Sequence, residues 1–241
     1  MNAVRAARDL VVARFPDARA AVLGGSAWTE RRTPLSDLDI VVILNGPTTT
    51  FRETTEHDGW VVELFCNTVE SFAATVDRET AARRSPLLHM VGESVLLVDR
   101  DGVGRKLQEE SLARFRAGPP PLSAVESEDR RYVVTDLLDD LEGSSDPDES
   151  LFIATRLLTA VGELDLALRQ RWQGHGKWLA RHLRDADPQT CEDLVSGYRR
   201  LVTEGDATPL RQAATAVLDR AGGRMLTGYR REREREAPGR P

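Results

Sequence analysis

Apolar residues at Val4, Ala7, Val11 and Phe15 recur at helical spacing, which predicts an amphipathic helix ending at Pro16. Arg19 to Leu23 is a short apolar run that enters Gly24-Gly25, the pattern of a strand meeting a tight turn. Ser26 to Arg32 is long enough for about two turns of helix before Pro34. Leu38 to Leu44 then reads as a buried strand stopped by Asn45-Gly46-Pro47, and Trp60 to Phe65 as another strand after the Asp58-Gly59 turn signal. Thr68 to Arg83 predicts a helix, Ser94 to Val98 a strand ending at Asp101-Gly102, and Val103 to Phe115 a closing helix.

Gly118-Pro119-Pro120-Pro121 breaks the chain, because prolines neither continue a helix nor supply ladder donors. Beyond it the period is helical throughout. Stripes run through Val134, Leu137, Leu138 and Leu141, then Ala154, Leu157, Leu158, Val161 and Leu168. Cys191, Leu194, Val195, Tyr198 and Leu201 form a third, and Leu210 to Tyr229 a fourth. The expectation is an α+β domain over residues 1–118 followed by an α-helical bundle over 122–236, with no internal repeat. The charged run from Tyr229 to Pro241 reads as a solvated helix end followed by disorder.

Composition narrows the field of functions. With 241 residues, 40% hydrophobic and 30% charged, the chain is an ordinary globular sequence rather than a fibrous or disulfide-scaffold one. A net charge of -6 argues against wrapping a nucleic-acid backbone. Cys66 and Cys191 show no zinc spacing and are expected to be small buried residues. The longest apolar run, Ile40 to Leu44, is far too short to span a bilayer, and the N-terminal residues lack a signal-peptide core. A reduced, cytoplasmic setting is expected, with the oligomeric state left open.

The chemistry concentrates between Ala20 and Phe65. Glycines at 24 and 25 let the backbone approach a ligand, and a helix starting at Ser26 would aim free N–H groups at an anion, with the Ser26 hydroxyl as one more donor. Taken alone, the stretch reads more readily as a plain strand-to-helix turn capped by Ser26. Asp37 and Asp39 are two apart, so both carboxylates leave one face of the strand mouth. Their repulsion is relieved by a divalent cation such as Mg²⁺, which takes one or two carboxylates together with phosphate oxygens. Glu63 lies within an apolar strand, and it reaches the same site if that strand pairs beside Leu38 to Leu44.

The order strand, Gly-Gly-Ser, ten residues from Ala27 to Ser36, Asp-Leu-Asp-Ile, and a carboxylate in a later strand resembles the DNA polymerase β-type nucleotidyltransferase superfamily. Within it the chain is most similar to the small-molecule branch of aminoglycoside nucleotidyltransferases. The resemblance spans residues 19 to 66, and the chain lacks the glycine that members often carry a few residues after the serine. It implies a nucleotidyltransferase-fold mixed β-sheet with flanking helices. It also implies that Gly24, Gly25 and Ser26 hold the nucleotide, and that Asp37, Asp39 and Glu63 are catalytic and bind Mg²⁺, as two ions. ATP would be the substrate, AMP the transferred group, pyrophosphate the leaving group, and a hydroxyl of an aminoglycoside-like small molecule the acceptor. Relatives with protein or RNA acceptors, as in toxin–antitoxin pairs, and a non-catalytic nucleotide-binding module are the alternatives.

In the helical half, Gly174 and Gly176 precede Lys177, which resembles the basic residue that two-domain relatives send to the triphosphate. Glu126, Glu128, Glu142 and Glu163 are weaker candidates for an acceptor-side base, since solvated helix faces carry such residues routinely. Arg169 to His175 loosely matches an Arg–His spacing of HEPN ribonucleases, a match that chance explains. His57, His89 and His182 lack ligand spacing and read as structural or surface residues.

Overall fold

The computed structural model describes residues 2–232. The chain divides into two compact units, Met1–Pro120 and Pro121–Pro241. The first unit holds helices α1 (Ala3–Arg14), α2 (Val69–Ala81), α3 (Pro86–Gly92) and α4 (Val103–Ala117). Its strands are β1 (Ala20–Leu23), β2 (Leu38–Ile43), β3 (Phe51–His57), β4 (Trp60–Asn67) and β5 (Val95–Asp99). They form one mixed sheet in the order β3-β4-β2-β1-β5. β1 runs antiparallel to β2 and β5, β2 parallel to β4, and β3 antiparallel to β4.

Local chemistry accounts for the boundaries. Asn2 caps α1 by accepting from Val4 N at 2.9 Å, and the helix stops before Pro16. Thr68 and Ser71 cap α2 reciprocally. Asp58 (φ 50°) and Gly59 (φ 77°) supply the two left-handed residues that a tight β3–β4 hairpin needs. One face of the sheet buries Leu38, Ile40, Val42, Val62, Leu64 and Cys66 against Ala6, Ala7, Leu10 and Val11 of α1. Alternation sends Asp39, Glu63 and Phe65 to the opposite face.

The second unit consists, among the described residues, of α5 (Ala124–Gly143), α6 (Pro147–Leu168), α7 (Lys177–Ala186), α8 (Pro188–Glu204) and α9 (Thr208–Arg220). Leu138, Leu157, Val161, Leu164, Leu194, Leu210 and Val217 meet in its core. Asp165 is fully buried among them, its carboxylate bonded by Arg169 Nε at 2.9 Å and Arg220 at 2.7 Å. Arg169 also bonds Asp187, the N-cap of α8.

Several expectations change. Ser26 to Arg32 forms turns rather than a helix: Thr29 N bonds Ser26 O at 3.0 Å and Arg32 N bonds Thr29 O at 3.2 Å. Thr29 and Ser36 hydroxyls bond nearby backbone groups there, which competes with helical closure. Phe51–His57 is a strand, and Pro86–Gly92 a helix, that the hydrophobic pattern does not announce. The fourth stripe stops at Arg220 because Gly222 (φ 105°) and Gly223 (φ 83°) turn the chain out of helix, so Tyr229 lies beyond it. Residues 229–232 are not helical, and the remainder of the charged run, 233–241, lies outside the described residues, as do the last positions of the 122–236 span. Both cysteines are free and buried, and burial pushes the Cys66 thiol up to about 11. No helix among the described residues is long and apolar enough to cross a membrane.

Candidate metal and nucleotide site

The parallel register of β2 and β4 sets Asp39 directly beside Glu63, and Asp37 stands at the mouth of β2. Carboxylate oxygens of Asp37, Asp39 and Glu63 all lie within 4.8 Å of one another, each residue half-buried. Adjacent strands are only about 4.8 Å apart, so two side chains on one face at one register level converge without help from a loop. Three carboxylates so close repel one another unless a cation joins them.

The glycine turn is fitted to this cluster. Gly25 has φ 68°, and a Cβ on it would stand 2.1 Å from Asp39 Oδ2. Gly24 donates its N–H to the Asp39 carbonyl at 2.9 Å, and a Cβ there would meet the Met90 carbonyl at 2.7 Å. The Gly24 N–H is therefore spent on the strand, and its contribution is to hold the turn against β2. Ser26 Oγ lies 2.9 Å from Ser36 Oγ, closing the loop that runs back to Asp37. Arg32 in the same loop stacks on Trp60, 4.4 Å from the ring centroid, which ties the loop to the start of β4.

One participant was not visible in the sequence. Arg52, on edge strand β3, donates to Glu63 Oε2 at 2.8 Å and lies over the Phe65 ring at 4.8 Å. Its neighbour Glu53 projects to the other face, where Arg14 grips it in a two-point pair that holds its carboxyl below the usual range. FRETTEH carries no apolar alternation, so nothing in the sequence pattern places Arg52 beside Glu63.

The structure brings Gly24, Gly25, Ser26, Asp37, Asp39 and Glu63 into one neighbourhood of the first unit. Lys177 belongs to the second unit, exposed at the first position of α7. Of the weaker candidates, Glu126 is bound into a capping box with Ser123. Glu128 pairs with Arg231, and Glu142 with Arg211 and Arg224. Arg169 is committed to Asp165 and Asp187, which accounts for it without an Arg–His ribonuclease site. His182 Nδ1 lies 2.9 Å from the Trp172 carbonyl and His89 packs against Phe115, as expected of structural histidines.

No protein-family model matches the sequence, and a search of the curated proteins likewise finds no match. Among solved structures, the chain is similar to a nucleotidyltransferase-like protein from Exiguobacterium sibiricum 255-15. Identity is 13%, the TM-score 0.48, and the match covers 90% of this chain and 73% of that one. At that level it decides nothing about chemistry, which rests on the side chains described above.

Proposed function

We propose that the protein is a metal-dependent nucleotidyltransferase that moves a nucleoside monophosphate, AMP from ATP, onto a hydroxyl of a small molecule. The observation that carries this reading is the convergence of Asp37, Asp39 and Glu63 under a glycine turn whose missing Cβ leaves room at Asp39. The donor set consists of hard carboxylate oxygens without cysteine or histidine, which suits Mg²⁺ rather than zinc. Asp37 and Asp39 would hold the metal, with Glu63 as third ligand or base. When bound, Mg²⁺ supplies the positive charge that lets a triphosphate approach three carboxylates.

The chain's own groups then have separable tasks. Gly25 and Ser26 present the turn to the β- and γ-phosphates, since Gly24 is anchored to Asp39. Arg52 holds Glu63 Oε2 and so fixes the carboxylate's orientation. Where Glu63 acts as the base, its Oε1 would take the proton from the acceptor hydroxyl as it attacks the α-phosphorus and pyrophosphate departs.

Pyrophosphate release from Mg²⁺-ATP, measured against a panel of hydroxyl-bearing acceptors that includes aminoglycosides, tests the reading. Acceptor-dependent release abolished by Asp39→Asn is expected. Absence of release with every acceptor, alongside no binding of Mg²⁺-ATP, would overturn it.

A further inference from the structure

Beside the carboxylates, on the same face of the sheet, is a pocket of about 400 Å³ enclosed by β3, β4, α2 and α3. Phe65, Leu87 and Met90 give it apolar walls, Arg52 closes it toward Glu63, and Glu79 enters from α2. We propose that this pocket is the subsite for the non-reacting end of the acceptor, and that it selects a flat apolar or aromatic body carrying one cationic group. The proposal rests on the nucleotidyltransferase reading above and narrows its substrate class.

Position argues for acceptor rather than nucleotide. In the strand order β3-β4-β2-β1, the glycine turn follows β1 while the pocket opens at β3 and β4, with the triad between them. In-line displacement places the attacking and leaving groups on opposite sides of phosphorus. If the triphosphate lies at the glycine turn, the attacking hydroxyl comes from the β4 side. Phe65 is two residues beyond Glu63 on that face, about 7 Å along the strand. A compact acceptor bridges that interval, its hydroxyl at Glu63 and its body beside Phe65.

The lining sets the chemistry. Glu79 Oε2 accepts a hydrogen bond from Leu87 N at 3.1 Å, and a carboxylate has further lone pairs with which to accept from a ligand donor. Burial raises the Glu79 carboxyl, with the Leu87 bond opposing, and a ligand ammonium beside it would favour the charged form. Arg52 on the facing wall repels further positive charge. One carboxylate and one guanidinium suit a monocation with an aromatic body and disfavour a polycation such as an aminoglycoside.

Tyramine, an aromatic hydroxyl compound with a single ammonium, is a direct probe. Its binding to the full chain is titrated by calorimetry, with and without α,β-methylene-ATP and Mg²⁺. Glu79→Gln keeps an acceptor for Leu87 N while removing the charge, and is expected to weaken tyramine about tenfold, as loss of a charge-assisted hydrogen bond does. Phe65→Ala should weaken it several-fold, and p-cresol, which lacks the ammonium, should not distinguish Glu79→Gln from wild type. Tyramine and the nucleotide analogue should bind together. Equal tyramine affinity in Glu79→Gln, no tyramine binding, or displacement of tyramine by the analogue would each overturn the proposal. Failure of the analogue to bind would instead overturn the nucleotidyltransferase reading, and with it the acceptor role. The titration without nucleotide reads the pocket alone and tells the two failures apart.

Discussion

Asp39 Oδ2 lies 2.1 Å from where a Cβ on Gly25 would stand, so the carboxylate occupies the volume that any other residue at 25 would need. The glycine turn and the acidic strand are one device.

Gly25→Ala should therefore damage binding more than folding. The left-handed φ of 68° costs an L-residue about 1–2 kcal/mol, and the added methyl displaces the Asp39 carboxylate. A lowered melting temperature, together with loss of Mg²⁺-ATP binding by calorimetry, is expected.

Arg52→Gln should leave stability within about 0.5 kcal/mol, because Arg52 is 63% exposed and such pairs contribute little. Removing a cation from the edge of a three-carboxylate site should instead tighten Mn²⁺ binding by about two- to fivefold, through weakened repulsion between like charges. Paramagnetic titration of free Mn²⁺ measures that affinity, and kcat should fall as Glu63 loses its fixed orientation.

In the second unit, Asp165→Asn should destabilise by about 2–3 kcal/mol in denaturant melts, since it breaks a pair whose acidic partner is fully buried. Arg169 and Arg220 are each partly exposed, so water recovers some of their solvation and keeps the loss below that of a wholly enclosed pair.

Asp187 caps α8 through a bond from Thr190 N at 3.0 Å, and this, with Thr190 Oγ1 and Arg169, holds its carboxyl below the ordinary range. A depressed folded-state pKa contributes stability above the unfolded value near 3.9, which is lost as pH falls through the folded value. Asp187→Ala should cost about 1 kcal/mol at pH 7, and the difference from wild type should shrink below about pH 4. Urea melts across pH 3 to 7 check this.

The sequence disclosed the parts of this fold that hydrophobic contrast controls. Leu38 to Leu44 and Trp60 to Phe65 are strands because both bury an unbroken apolar face, and their pairing carries Glu63 to Asp39. β3 was hidden because an edge strand buries little, and its Thr and Glu residues give no periodic signal. With β3 goes Arg52, the cationic wall of the pocket. The turn after Gly25 departs from the expected helix for a different reason: its hydroxyl-to-backbone bonds are local alternatives to helix that residue spacing does not reveal.

Thermal melts of wild type, Asp37→Asn and Asp39→Asn, each with and without Mg²⁺-ATP, test the metal assignment most directly. Without ligand, each substitution removes one charge from a repelling cluster, so the variants should melt at or above the wild-type temperature. With ligand at a hundredfold excess over its Kd, wild type should gain about 2.7 kcal/mol and a clear upward shift, and the variants little. Full ligand-induced shifts in both variants, with wild-type turnover, would contradict the assignment of Asp37 and Asp39 to the metal.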